Sequence, residues 1–169
     1  MDVGVVKESF PGELRVALVP ADVAKLDKCG LGVVVEPGAG LAAGFLDKSY
    51  QDKGAKLATS RAAAFQAAII AQVRSLGANL QAGQSDLPLL RTGQIVIGAC
   101  DPLGEPQAVA DIAQTGATLF ALELVPRTTR AQAMDILSSM ANLAGYRAVL
   151  LAALELPKIF PLMMTVLAQ

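Results

Sequence analysis

The sequence predicts an α/β fold in which a parallel sheet is flanked by helices. Short apolar runs alternate with helical stretches along the chain. Each run is almost wholly apolar, as expected for parallel strands that are covered on both faces. The length of 169 residues suits one domain. We therefore expect a single Rossmann-like or flavodoxin-like domain that ends in a long helical segment.

The individual elements follow from composition and from helix start and stop signals. Five apolar runs are predicted strands: residues 3–6, 31–35, 67–73, 94–99 and 118–124. Proline suits the first turn of a helix, so Pro20 should begin a helix that ends before Gly30. A second helix is predicted over residues 104–115, and a long one from about residue 130 to residue 155.

The end of the chain differs in character from the rest. We expect residues 1–141 to form the α/β domain and residues 142–169 to form a helical connector, which would lead into an NAD-binding Rossmann domain that this chain lacks. Without that domain, an apolar patch should stay exposed. Its predicted members are Leu150, Leu151, Leu154, Ile159, Phe160, Leu162 and Met163.

Composition excludes several classes of site and partner. The chain has no histidine, which removes histidine bases, Ser-His or Cys-His nucleophiles and a common metal ligand. Cys29 and Cys100 form no zinc-binding spacing, so we predict reduced thiols and no metal site. A net charge of −1 without a basic stripe argues against nucleic acid as a partner. Residues 143–167 are apolar, but Arg147 and Glu155 interrupt them, so we expect no membrane span.

A glycine-rich run, GAGLAAG at residues 38–44, is similar to a dinucleotide-binding fingerprint. That fingerprint needs a helix that begins at the glycines and an acidic residue about 20 positions later. Here Pro37 enters the loop, polar residues follow it, and residues 57–60 contain no acid. The glycines are therefore predicted to form a tight turn rather than a phosphate site.

Two cations and two acids flank a Pro-Gly turn in KESFPGELR, residues 7–15, directly after the first predicted strand. Ligands of α/β sheets bind outside the carboxyl ends of the strands. The planar guanidinium of Arg15 suits a carboxylate or a phosphate. The alternative is a local ion-pair cluster that orders the loop, and both interpretations fit the sequence.

The segment RTTRAQAMDILSSMAN, residues 127–142, is the most informative. Thr129 and Gln132 match a capping box, so the long helix should begin here. Polar residues then recur at helical spacing on one face: Gln132, Asp135, Ser138, Ser139 and Asn142. Such short amide and hydroxyl groups suit a carboxamide and a ribose, with arginine available for phosphate. The alternative is an ordinary amphipathic helix that buries its other face, formed by Met134, Leu137, Met140 and Ala141.

Three blocks of the sequence resemble the alanine dehydrogenase and transhydrogenase family. They are KESFPGE with RVALVP at residues 7–20, GAGLAAGF at residues 38–45, and ELVPR, RAQAMDILSS and NLAGYRAV within residues 123–149. The third block is long and distinctive, and it resembles the transhydrogenase branch specifically. The resemblance covers nearly the whole chain, with a weaker middle at residues 58–99.

The resemblance implies a function and a set of contacts. The transhydrogenase transfers a hydride directly from NADH to NADP⁺, driven by proton flow through a separate membrane domain. By resemblance, Arg127, Asp135 and Ser138 would contact the nicotinamide region of NAD(H), and Gln132 would reach NADP(H) on a partner domain. No residue need act as an acid or base, because the main contribution is to position two cofactors.

The resemblance also implies partners. These are an NAD-binding Rossmann domain or subunit, an NADP-binding β-subunit domain and a membrane proton-channel domain. The assembly would be a homodimer or larger, and the chain would lie in the cytoplasm at the inner membrane.

Two alternatives stay open. One is a non-catalytic remnant or interaction module of the same fold. The other is a keto-acid-binding domain of an alanine dehydrogenase-like enzyme that uses Arg15. Alanine dehydrogenases use a lysine and a histidine near the keto acid, whereas the matching regions here read Gln72-Val73-Arg74 and Cys100-Asp101. Gln72 also departs from a Lys-Val pair that is common in the family.

Overall fold

The computed structural model describes residues 1–158, and the chain divides into two compact units. The first unit is Met1–Val125, and the second begins at Pro126. Four members of the predicted apolar patch lie outside the described residues: Ile159, Phe160, Leu162 and Met163.

The first unit is built on six parallel strands. They are β1 (Asp2–Val5), β2 (Gly32–Val35), β3 (Lys56–Leu57), β4 (Ile69–Arg74), β5 (Ile95–Ala99) and β6 (Thr118–Ala121). The helices of this unit are α1 (Pro20–Lys28), α2 (Asp47–Gln51), α3 (Arg61–Ala64), α4 (Leu80–Gly83) and α5 (Pro106–Gln114). The strand order is β3-β2-β1-β4-β5-β6, which confirms the predicted parallel α/β fold.

Strand β1 lies in the middle of the sheet, and its composition explains why. Val3 and Val5 are buried. Between them, a Cβ on Gly4 would lie 2.5 Å from the carbonyl oxygen of Ala64, so α3 packs directly against the backbone of β1. Val5 belongs to one core cluster and Val6 to another, as expected for neighbours whose side chains point to opposite faces of a sheet.

The predicted strands differ from the observed ones in two places. Strand β3 was missed because two residues are too short to show a period. The run at residues 118–124 stops at Ala121 and continues as a 3-10 turn, Leu122–Leu124. This turn brings the carboxylate of Glu123 to the carboxyl end of β5, where one oxygen accepts from the N–H groups of Cys100 and Asp101.

The second unit contains the long helix α6 (Ile136–Glu155). The prediction that it begins near residue 130 with a capping box at Thr129 and Gln132 is wrong. Residues Thr129–Met134 form a 3-10 segment, and the carboxylate of Asp135 caps α6 instead. A carboxylate at the N-cap satisfies unpaired N–H groups and interacts favourably with the helix dipole, so this cap prevails.

Helix α6 is exposed along its length and has no buried residue. The apolar face predicted to be buried is therefore not: Leu137 is 41% and Met140 36% exposed. The patch members Leu150, Leu151 and Leu154 are 40%, 43% and 77% exposed. Among the helices of residues 1–158, α6 alone is long and apolar enough to cross a membrane by length and composition, and one such helix is weak evidence for a span.

The two cysteines should react very differently with a thiol reagent such as Ellman's reagent. Cys29 is exposed, whereas Cys100 is fully buried, and burial together with Glu123 and Asp101 raises the pKa of its thiol to about 12. At pH 8 only about one part in ten thousand of Cys100 would be thiolate, the reactive form. We expect one fast equivalent in the native chain, two in denaturant, and none that is fast in Cys29→Ser. A second fast equivalent in the native protein would contradict the buried placement.

Candidate functional site

Six polar side chains of the second unit line a concavity of about 280 Å³, which we term the polar concavity: Arg127, Thr128, Thr129, Gln132, Asp135 and Ser138. The structure thus brings together all four residues that the sequence singled out in this segment. They do not share one helix face, because Gln132 lies in the 3-10 segment and Asp135 precedes α6.

Sequence reasoning did not assign Thr128 and Thr129 to a site. It gave Thr129 the capping role that Asp135 performs. Thr128 precedes the 3-10 segment, yet its side chain makes no capping hydrogen bond. Serine and threonine at such positions usually bond to the nearby backbone. A hydroxyl that lines a concavity without doing so is available to a ligand.

Asp135 is held in place by three hydrogen bonds. Its Oδ1 accepts from the N–H groups of Leu137 and Ser138 at 2.9 and 3.0 Å. Its Oδ2 accepts from the hydroxyl of Ser138 at 2.5 Å. The Ser138 hydroxyl, the two backbone N–H groups and the charge of Arg127 lower the pKa of the Asp135 carboxyl below its ordinary value. Asp135 is therefore ionised at neutral pH.

The polar concavity suits recognition rather than acid–base chemistry. The groups that it offers are a guanidinium, an amide, hydroxyls and a carboxylate that is already engaged by its own helix. Such groups bind amides, hydroxyls and phosphates. Within residues 1–158, no group of three or more histidine, cysteine, aspartate or glutamate side chains comes together as a metal site would require.

Arg15 lies in a different cluster, in the first unit. Its Nε and one terminal nitrogen donate to the two carboxylate oxygens of Glu13 at 2.7 and 2.6 Å. Arg74 Nε donates to the same carboxylate at 3.0 Å, and the Arg74 guanidinium lies 4.3 Å from the centre of the Phe10 ring. This geometry is the ion-pair cluster that the sequence left as an alternative. An anion site at Arg15 stays a prediction.

The loop after β1 is also tied to the end of β4. The carboxylate of Glu8 accepts from the N–H groups of Val73 and Arg74 at 2.6 and 3.1 Å, and burial raises the pKa of Glu8 above its ordinary value. Gln72, which departs from the family pattern, donates to Asp86 at 3.0 Å. Asp86 in turn accepts two hydrogen bonds from Arg61. These departures from the family pattern thus have structural partners in this chain.

The glycine-rich loop at residues 38–44 is a turn, as predicted. Gly38 and Gly44 have φ values of +76° and +85°, which favour glycine. The N–H of Gly38 donates to the carboxylate of Asp47. A Cβ on Gly40 would lie 2.7 Å from the ring of Tyr50. The loop therefore packs on its own following helix, α2.

Glu13 should make the chain lose stability in acid. Pairing with Arg15 lowers the pKa of the Glu13 carboxyl from 4.5 to about 2, so the folded state binds its proton less readily than the unfolded state. The resulting stabilisation is complete above pH 4.5 and is lost as the pH falls from 4.5 to about 2. After solvent screening we expect about 1 kcal/mol.

The measurement is urea unfolding of the wild type and Glu13→Gln at pH 6 and pH 3. The variant should lose less stability between these two pH values than the wild type does. The difference between the two proteins is the relevant quantity, because Glu8, whose pKa burial raises, contributes with the opposite sign. Equal losses in both proteins would show that Glu13 is not the acid-sensitive group.

Comparison with known proteins places this geometry among nucleotide enzymes. The family model "Alanine dehydrogenase/PNT, N-terminal domain" matches residues 4–144. The NAD(P) transhydrogenase subunit alpha of Cereibacter sphaeroides is 40% identical over 161 residues, which cover 95% of this chain and 30% of that protein. An NAD(P) transhydrogenase subunit alpha protein of Rhodospirillum rubrum is 38% identical over 165 residues, which cover 98% of this chain and 43% of that protein.

A solved structure gives the same result. The transhydrogenase from Sinorhizobium meliloti superposes with a TM-score of 0.85 and 43% identity, covering 98% of this chain and 48% of that one. The present chain spans less than half the length of each of these three proteins.

Proposed function

Because the chain belongs to the alanine dehydrogenase/PNT N-terminal domain family, we propose that it is part of the NAD(H)-binding component of a proton-translocating transhydrogenase. There it would help to position nicotinamides for direct hydride transfer between NADH and NADP⁺. The observation that carries the proposal is the polar concavity, where Arg127, Gln132, Asp135 and Ser138 lie together. These are the residues that the resemblance assigns to the two nicotinamide nucleotides.

The chemistry of the concavity agrees with this role. A hydride that passes between two bound cofactors needs no protein acid or base, and the protein contributes by orienting the two rings. The cofactors would be NAD(H), contacted by Arg127, Asp135 and Ser138, and NADP(H), reached by Gln132. Both would need partner domains, because the concavity of about 280 Å³ is too small to enclose a whole dinucleotide.

The partners follow from the same proposal. An NAD-binding Rossmann domain, reached through the connector at residues 142–169, would hold most of the first cofactor. An NADP-binding β-subunit domain would present the second, and a membrane proton-channel domain would couple the reaction to proton flow. We place the chain in the cytoplasm, peripheral to the inner membrane, in a homodimer or larger assembly.

The keto-acid alternative is less well supported by the contacts. A keto-acid carboxylate bound by Arg15 would have to displace the carboxylate of Glu13, which both Arg15 and Arg74 already hold. Intramolecular pairing of this kind competes with a ligand of the same charge.

A chimera tests the proposal. This chain would replace the matching N-terminal residues of the Rhodospirillum rubrum subunit alpha protein, which would then be assembled with its own remaining subunits. We expect hydride transfer from NADH to NADP⁺, and its loss when Arg127→Ala is introduced. A chimera that folds and binds NADH but transfers no hydride would favour the non-catalytic alternative instead.

A further inference from the structure

The hydrogen bond between Ser138 and Asp135 can run in only one direction. An ionised carboxylate accepts hydrogen bonds and has no proton to give. The hydroxyl proton of Ser138 must therefore point to Oδ2 of Asp135, at an oxygen–oxygen distance of 2.5 Å. Ser138 Oγ has two further lone pairs and no proton left to offer. No donor among residues 1–158 bonds to that oxygen, so Ser138 presents an acceptor to the polar concavity.

The rest of the polar concavity offers donors. The guanidinium of Arg127 can only donate, and the exposed amide of Gln132 can donate or accept. Asp135 offers little to a ligand, since it is 9% exposed and its oxygens are engaged by the start of α6. A ligand that matches one fixed acceptor beside a fixed donor is a primary amide, whose N–H and carbonyl groups lie side by side in one plane.

We propose that Ser138 accepts a hydrogen bond from the carboxamide N–H of the nicotinamide, and that Asp135 is a positioning residue that holds the hydroxyl in this orientation. This inference rests on the proposed function. It goes further by fixing the polarity of the contact and by separating the role of Asp135 from that of Ser138. Asp135 acts on the cofactor through Ser138.

The polarity has consequences for substrate choice. A thionicotinamide analogue of the nucleotide keeps the N–H donors, whereas a 3-acetylpyridine analogue replaces them with a methyl group. Only nucleotides that carry the N–H group should depend on the Ser138 hydroxyl. The three nucleotides share the ribose and phosphate groups, so the comparison isolates one hydrogen bond.

The experiment uses the transhydrogenase assembly that contains this chain, with the carboxamide, thioamide and acetyl nucleotides as probes. Affinity by equilibrium titration and KM during turnover would both be measured. Ser138→Ala should weaken the carboxamide and thioamide nucleotides about 5-fold, the value expected for one neutral hydrogen bond, and leave the acetyl nucleotide within about 2-fold.

Asp135→Asn provides the sharper variant. Asparagine caps helices as well as aspartate does. Its oxygen would face the N–H groups of Leu137 and Ser138, which leaves its NH₂ group to donate to Ser138 Oγ. The Ser138 proton would then point away from residue 135, and the contact would reverse its polarity. We expect the preference for N–H-bearing nucleotides to disappear while the helix start, followed by hydrogen exchange of the Leu137 and Ser138 amides, is retained.

Ser139→Ala is the matched control. The Ser139 hydroxyl bonds back to the carbonyl oxygens of Asp135 and Ile136, and the residue does not line the polar concavity. It should leave the ranking of the three nucleotides unchanged.

Two results would overturn the inference while leaving the proposed function intact. One is equal weakening of all three nucleotides by Ser138→Ala. The other is an unchanged preference in a folded Asp135→Asn variant. An assembly that binds none of the three nucleotides would overturn the inference and the proposed function together.

Discussion

Gly77→Ala is expected to destabilise the first unit by about 3 kcal/mol or more, a large share of the stability of a domain of this size. Gly77 follows β4 and crosses close to the carboxyl end of β5. A Cβ at this position would lie 1.9 Å from the carbonyl oxygen of Cys100 and 2.9 Å from its carbonyl carbon. Both obstructing atoms belong to the backbone, so no side-chain rotation relieves the collision. The φ of +98° adds strain for any residue with a Cβ.

Gly93→Ala separates these two effects. Gly93 has a similar φ of +79°, but a Cβ there would meet no atom within 4 Å. Only the conformational strain of about 1–2 kcal/mol should appear in this variant. Chemical unfolding of both variants and the wild type measures the difference. If Gly77→Ala and Gly93→Ala lost equal stability, the close approach to Cys100 would not exist as described.

The parts of the fold that could be predicted are those with a local signal. Buried parallel strands must be apolar on both faces, so the runs that became β1, β2, β4 and β5 stand out from the sequence. The order of the strands has no local signal, because it depends on which helices cross the sheet. The contacts of Glu8 with Val73 and Arg74 join residues 65 and 66 positions apart and were equally invisible.

The polar concavity was found for a partly wrong reason. The sequence holds two competing cap signals, Thr129 with Gln132 and Asp135 with Ser138. Sequence reasoning favoured the first because it matches a known box. The structure uses the second, in which one carboxylate satisfies two backbone N–H groups and one hydroxyl. The polar residues were singled out correctly, because their chemistry was unusual for a solvated face whichever residue began the helix.

The choice of cap changes which substitution tests the site cleanly. Asp135→Ala would remove the cap of α6, so a loss of hydride transfer could follow from a disordered helix start alone. Gln132 has no such structural role. Its side chain is exposed and makes no hydrogen bond to any residue in the described range 1–158, so its removal should change stability very little.

Gln132→Ala should therefore lower the rate of hydride transfer by about 100-fold in the assembled transhydrogenase, because small misplacements of the two nicotinamides cost about that much. Its melting temperature should stay close to that of the wild type. Gln114→Ala, which removes an exposed glutamine at the end of α5, is the control and should alter neither quantity. Both measurements are made on the same preparation. A Gln132→Ala protein that melts early yet transfers hydride at the normal rate when folded would make Gln132 a structural residue, and the assignment of the polar concavity to the nicotinamides would fail with it.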